Sequence, residues 1–502
     1  MHAVNRREFL KAAGAGLGLA ALARLAPAAG TGANGKPNFL IIMADDLASY
    51  ELGCYGGKNV ATPHIDRLAA EGLRFTHAFA SEAMCVPIRS SLYTGLYPAR
   101  HGACRNHAAS KPDTRSVPHY LRPLGYRVGL AGKVHVRPKE VYPFDAVPGF
   151  EPNCTAPTAN YTLDGIRDFM TRDPGQPFCL FVCSTLPHAP WTVGDASKFP
   201  PEKLLLPPIW MDTPKTRQAF SQYCAEVVAL DTQVGDVVRT MEEAGLKDKT
   251  VLIFLGEQGA QFPAAKWTLF APGVSSAAIV RWPGRTRAGA VTDAIVQYED
   301  VLPTLIDLAG GPAEKGLDGL SFAAVLTGAK ADLREFAFGI HNNWPEGRPY
   351  PIRSIRSKKY KLILNLMPDS DYHEKHIMDI DREDYWKSWV EAAAQDPRAA
   401  GPLQRFLKRP AVQLFDVEKD PWELENLTDR PDLAAVRRDL EDRLRAWMQQ
   451  QGDPGAALDV ETAERPAAKK NQNKAPAAGA RADEPGNETR RHRCKRSTVV
   501  IF

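Results

Sequence analysis

The sequence predicts an α/β protein: a large, mostly parallel sheet flanked by helices, followed by a smaller antiparallel α+β domain. Three observations predict it. Apolar runs of strand length recur between residues 37 and 284 as "PNFLIIMA", "YRVGLAG", "PFCLFVCST", "TVLIFLG" and "AAIVRWPG". Continuous runs of this kind suit strands covered on both faces. Segments with helix punctuation lie between them. From about residue 345 the texture changes to "YPIRSIRSKKYKLILNL" and "VQLFDVEKDPWELENL", which read as antiparallel strands and turns, with a helix expected at about 431 to 450.

In chain order, the first 35 residues contain "NRREFLKAAGAGLGLAALARLAPAAG", a paired Arg6-Arg7 followed by a weakly apolar run. This resembles a twin-arginine export signal and implies a periplasmic mature protein. The apolar run is shorter than the roughly 20 residues of a membrane span and is broken by Arg24, so no transmembrane segment is expected in the mature chain. In "TPHIDRLAAEG", Thr62 is the expected N-cap, Pro63 the first helical residue and Gly72 the stop. The domains are expected at 36–335 and 336–452, with a basic, disordered tail at 453–502 rich in Ala, Pro and Lys.

The 502 residues are 44% hydrophobic, enough for a large core. The formal net charge is +4, but residues 1–35 carry +3 and residues 465–502 carry +7, which leaves −6 for the body. Basicity therefore belongs to the ends, and nucleic acid is not an expected partner. Eight cysteines in so long a chain do not make a disulfide framework. Cys179 and Cys183 read as core thiols on a buried strand. Cys85, in "SEAMCVPIRSSLYTGLYPARHG", is the exception, because it opens a helix with Arg89 one turn later.

The strands share a polar ending. Asp45-Asp46 follow "FLIIMA", Glu257-Gln258 follow "VLIFLG", Lys133 and His135 follow "YRVGLAG", and His188 follows "FVCSTLP". Open α/β sheets place their sites at the carboxyl ends of strands, so these groups converge on one cleft. Three carboxylates and an amide supply hard oxygen ligands, which suit Ca2+ or Mg2+ rather than zinc. Lys133, His135, His188, Lys266 and the permanently charged Arg89 add donors for a tetrahedral anion. The helix opening at Cys85 aims free N–H groups at the same anion.

The stretch "CVPIR...LYTGLYPARHG" resembles the sulfatase signature, in which C-x-P-x-R directs conversion of Cys to formylglycine by a sulfatase-maturating enzyme such as the formylglycine-generating enzyme. Ile88 stands where the family usually has Ser. The resemblance covers roughly residues 36 to 450. It includes "NFLIIMADDL", "TPHIDRLAAEGLRFTHAF", "GLAGKVHV", "LPHAPW" and "DVEKDPWELENL". It implies an alkaline-phosphatase-like fold and a catalytic domain over 36–335. It also implies one Ca2+ held by Asp45, Asp46, Glu257, Gln258 and the modified Cys85. Arg89 and Lys133 would hold the formylglycine hydroxyls, with His135 handling the proton. His188 and Lys266 would bind sulfate and protonate the leaving group. The usual Asp-Asn or Asp-His of the second metal strand is here Glu257-Gln258, each one methylene longer.

"GKVHVRPKEVYPFD", "QFPAAKWTLFAPG" and "YPIRSIRSKKYKLILNL" are most similar to the heparan N-sulfatase (sulfamidase) branch, which implies a sulfated saccharide as substrate. His341 and Glu346, in "GIHNNWPEGRPYPIRS", are expected to reach the sugar. Two other readings remain open at this point: a phosphonate or phosphodiester hydrolase of the same superfamily, and a non-catalytic sulfated-glycan-binding protein in which Cys85 stays a thiol.

Overall fold

A computed structural model describes residues 35–396 and 400–464. The expected export signal, up to residue 34, and the tail from 465 onward lie outside the described residues.

Four apolar runs become the strands β1 (Asn38–Met43), β3 (Arg127–Gly132), β5 (Phe178–Cys183) and β6 (Thr250–Leu255), buried at every residue. Their side chains alternate between two cores. Leu40, Ile42, Leu180, Val182, Leu252 and Phe254 face one, while Phe39, Ile41, Phe181, Val251 and Ile253 face the other. Burial on both faces is why the runs show no polar alternation. Full burial of one such side chain contributes roughly 1.5 to 3 kcal/mol.

These strands are contiguous and mutually parallel, in the order β3-β5-β1-β6. Their registers end level: Met43 lies beside both Cys183 and Leu255, and Gly132 beside Cys183. The residues that follow all four strands therefore emerge at one edge. The sheet is completed by β4 (Asp145–Val147) on one side and by β7 (Ser275–Arg281), β2 (Leu73–Phe79) and β8 (Ala290–Gln297) on the other. Strand β7, the "AAIVRWPG" run, is antiparallel to both neighbours. An apolar run reports burial and carries no information about strand direction.

The helix Pro63–Glu71 forms where its punctuation places it, but Thr62 does not cap it. Thr62 Oγ1 instead accepts the Gly53 N–H and bonds Asp66. The free N–H groups of His64 and Ile65 are taken by the Asp231 carboxylate, from the long helix Pro214–Glu243.

The second sheet holds β9 (Ala337–His341), β10 (Ile352–Arg356), β11 (Tyr360–Asn365) and β12 (Val412–Asp416), all antiparallel in the order β12-β11-β10-β9. The helix Ala434–Gln451 lays Leu440, Leu444 and Trp447 against Ile355, Leu362, Leu364 and Leu414. The described residues of both sheets belong to one compact unit. The expected tail needs correction over 453–464. Asp453 receives the buried Arg353 guanidinium, and a further helix, Ala457–Glu464, buries Asp459 against the backbone N–H groups of Asn343, Trp344 and Tyr350. The composition shift after residue 452 coincides with Gly452, the left-handed C-cap of the preceding helix. Among the described residues no helix is long and apolar enough to cross a membrane.

Candidate active site

Each strand tip turns sharply to deliver its side chain. Among the described residues seven non-glycine residues have positive φ, and Asp46 (65°), Glu257 (90°), His135 (46°) and Trp267 (62°), the last beside Lys266, are four of them. Left-handed backbone at non-glycine residues costs on the order of 1 to 3 kcal/mol each and collects where function requires a particular orientation. The tips are held by Tyr298, whose hydroxyl accepts the Glu257 N–H at 2.6 Å, and by Tyr223, which donates to the Asp46 carbonyl at 3.2 Å. Gly132, at φ 82°, passes so close to the Cys183 carbonyl that a side chain has no room there, and this sets Lys133 into the cleft.

Cys85 opens the helix Cys85–Thr94, all ten residues of which are buried. Gly95 closes it in the left-handed conformation. One turn in, Arg89 is fully buried. It donates to the Lys133 carbonyl at 3.0 Å, and its Nε lies 2.7 Å from Glu257 Oε1. The Val86 N–H is taken by Asn106 Oδ1 at 3.2 Å.

Around Cys85 the charges interlock. Lys133 Nζ reaches both oxygens of Asp45, at 2.6 and 2.8 Å, and Lys266 Nζ reaches Asp46 Oδ2 at 2.7 Å. His188 Nε2 lies 3.7 Å from Asp46 Oδ2. Cys85 Sγ is 3.7 Å from Asp45 Oδ1, and Gln258 Nε2 donates to it at 3.2 Å. Burial pushes the Cys85 thiol up, but Lys133 and Lys266 outweigh it and hold the group well below the usual thiol range. For Asp45, burial is likewise overcome by Lys133, His188 and Arg89, which leave it strongly ionised. In Glu257 burial wins over Arg89 and the carboxyl is raised well above its ordinary value. His188 is pushed down by burial and by Lys266, yet Asp46 and Asp45 raise it to about 10.

Asp45, Asp46, Cys85 and Glu257 bring their donor atoms within 4.8 Å of one another. Glu257 Oε1 and Gln258 Oε1 are buried without a hydrogen-bond partner, since Glu257 Oε1 meets Arg89 only as an ion-pair contact. Buried polar atoms are rarely left unbonded. Three carboxylates in one cluster fit a hard divalent cation, and the extra methylene of Glu257 keeps its carboxylate there, whereas Gln258 turns its amide Nε2 toward Asp46 and Cys85 and would offer its orphaned oxygen to a cation with the amide reversed.

The cleft gathers Asp45, Asp46, Cys85, Arg89, Lys133, His188, Glu257, Gln258 and Lys266. His135 stands beside Cys85, with its Nδ1 buried and without a hydrogen-bond partner and its ring edge-on to His107. His341 is not brought there. At the end of β9 it is fully buried, with Nδ1 2.6 Å from Glu82 Oε1, and burial drives Glu82 up and His341 down to about 3, so the pair is a neutral hydrogen bond in a packed interior. Glu346 pairs with His376 at 2.7 Å and Lys375 at 3.1 Å; His376 stacks on Trp267, the neighbour of Lys266. Sequence reasoning missed Tyr223, Tyr298 and Cys154. The tyrosines act through main-chain groups and carry no motif. Cys154 differs from the core thiols only in lying outside any apolar run.

Residues 37–311 match the sulfatase family model, and residues 264–386 match the model for the C-terminal region of N-sulphoglucosamine sulphohydrolase. An ulvan-active sulfatase from Formosa agariphila is 30% identical over 83% of this chain and 81% of its own length. Human N-sulphoglucosamine sulphohydrolase is 28% identical, with 83% and 91% covered. A protein solved with its substrate D-glucosamine-2-N,6-O-disulfate shares the fold at a TM-score of 0.63 and 20% identity, covering 84% of this chain and 99% of that one. With signature cysteine, acidic tips and buried cations in one cleft of an alkaline-phosphatase-like sheet, this chain belongs to the sulfatase family and is a sulfuric ester hydrolase.

Proposed function

We propose that this sulfatase removes sulfate from a sulfated saccharide, with the N-sulfate of a glucosamine unit as its preferred target, using formylglycine made from Cys85 and a Ca2+ ion held by Asp45, Asp46, Glu257 and Gln258. The observation that carries the reading is the position of Cys85. It opens a buried helix in C-x-P-x-R context, with its side chain between two lysines and the acidic strand tips. The saccharide reading is supported by the relatives' substrates, and the N-sulfate by the matched C-terminal region.

Formylglycine at position 85, as its hydrate, would supply an oxygen nucleophile toward sulfur and a second hydroxyl for sulfate release, and Ca2+ would supply positive charge beside it. The chain's own residues do the rest. Lys133 and Lys266 hold positive charge against oxygens that grow more negative in the transition state, in a site without bulk water. Arg89, locked on the Lys133 carbonyl and Glu257, fixes the helix opening against the metal strand. His188 Nδ1 is set by the Ala189 carbonyl at 2.5 Å, which leaves Nε2 to hand a proton to the departing oxygen or nitrogen. His135, beside position 85, would take the proton whose loss frees sulfate. Export to the periplasm is proposed on the twin-arginine pattern alone.

The test is a substrate panel assayed with protein shown to be converted at residue 85: an aryl sulfate, an aryl phosphonate monoester, N-sulfoglucosamine and glucosamine 6-O-sulfate. The N-sulfate is expected to exceed the 6-O-sulfate in kcat/KM by about tenfold or more, a difference of roughly 1.4 kcal/mol in transition-state binding. Preference for the phosphonate would move the enzyme to the hydrolase alternative.

A further inference from the structure

Cys154 lies on a half-exposed turn between Phe150 and Tyr161, outside every strand and helix. Its Sγ, a ring nitrogen of His188 and a carboxylate oxygen of Asp45 all lie within 4.8 Å of one another. Unlike the oxygen cage of Asp45, Asp46, Glu257 and Gln258, this set offers sulfur, nitrogen and oxygen. Such mixed donors select borderline-soft cations over calcium or magnesium.

We propose that Cys154, His188 and Asp45 form a second metal site, for a divalent cation of the zinc class, and that its occupation shuts the sulfate pocket. The site shares His188 and Asp45 with the catalytic cleft, so an ion there takes groups the sulfate pocket needs. His188 is held as metal-ligating histidines are, with Nδ1 engaged by the Ala189 carbonyl; Nε2, which faces Asp46 at 3.7 Å, binds the ion on releasing its proton to solvent. Zinc bonds of ~2.0 to 2.3 Å place tetrahedral ligands within ~4 Å of one another, so the three groups need only a small closure. The flanking residues Asn153 and Thr155 are exposed, and the hydrogen bonds of the turn run within residues 151–156. Three protein ligands leave a fourth position for water or an oxyanion. Lys133 opposes the ion, since its ammonium bonds both Asp45 oxygens and must yield one of them. That competition holds affinity well below that of a closed structural zinc site.

The experiment titrates ZnCl2 into calcium-saturated protein by calorimetry in a Cys85→Ala background, which needs no turnover and removes the other nearby thiol. One zinc per chain is expected, with affinity reduced at least about tenfold by adding Cys154→Ala, and Cys154→Ser serves as a second variant of similar size. In converted protein, zinc is expected to inhibit aryl sulfate hydrolysis, with the midpoint raised by the same factor in Cys154→Ala and little change in zinc-free kcat/KM. Equal zinc affinity with and without the thiol overturns the site, and zinc binding without inhibition overturns its blocking role. Absence of turnover with every sulfate overturns the proposed function instead and leaves the calorimetric result standing.

Discussion

Two buried charged regions of this molecule obey different rules. Beneath the second sheet, Arg353 meets Asp453 at 2.5 and 2.8 Å, and its remaining N–H groups go to the carbonyls of His341, Ile352 and Gly455 and to Asn342. Charge and hydrogen bonds are complete within the chain. At the carboxyl edge of the first sheet, Asp45, Asp46 and Glu257 face Lys133, Lys266 and Arg89, yet Glu257 Oε1 and Gln258 Oε1 stay unbonded and the backbone at Asp46, Glu257 and His135 is held in the left-handed region. The first arrangement is finished and structural. The second is built for something the chain does not itself supply, and that is the physical mark of its site.

The comparison can be broken from either side. The largest effect is expected on turnover: Cys85→Ala should lower kcat/KM by about a thousandfold or more while leaving the melting temperature within a few degrees, because the thiol's surroundings are polar and catalytic. A variant that retains activity would remove position 85 from the chemistry. Next, Arg353→Leu should cost roughly 3 to 5 kcal/mol in denaturant unfolding, since Asp453 is left charged and buried, while turnover per folded molecule is preserved. Replacing both partners by leucine should recover much of that loss; a double variant no better than the single would show that packing rather than charge is at stake. Chelation should lower activity and melting temperature together. An ion at a hundredfold excess over its Kd contributes about 2.7 kcal/mol, and calorimetry with and without chelator reads it.

A pH-dependent effect concerns Glu51, buried beside Tyr50 and Tyr223 with Oε1 unbonded. Burial raises its carboxyl from 4.5 to about 8. Below pH 4.5 the group is protonated in both folded and unfolded chains. Between 4.5 and 8 only the unfolded chain releases the proton, so stability falls with rising pH, by at most about 1.4 kcal/mol per unit. Glu51→Gln should flatten that slope, which denaturant midpoints at pH 5, 6 and 7 will show.

Much of this was legible in the sequence, because strands buried on both faces must be apolar throughout and polar residues can enter only at their ends. Asp45, Lys133, His188 and Glu257 were therefore visible as tips, and parallel pairing of β3, β5, β1 and β6 carried them to one edge. What was hidden depends on distant partners. Asp231 caps a helix that begins at Pro63, 168 residues earlier in sequence, and leaves Thr62 a different role. Asp453 and Asp459 order residues that composition alone assigns to a tail. His341 looked accessible in a Gly/Asn/Pro-rich stretch, but Glu82 holds it inside. Cys154 carried no local pattern, and only the packing of its turn against His188 gives it meaning.

The most direct measurement is mass spectrometry of the peptide spanning Ser81 to Gly102, taken from purified protein that turns over an aryl sulfate. The account predicts a peptide lighter by the difference between a cysteine thiol and an aldehyde, in a fraction that tracks specific activity. Full activity in protein whose residue 85 is entirely unmodified thiol would contradict it.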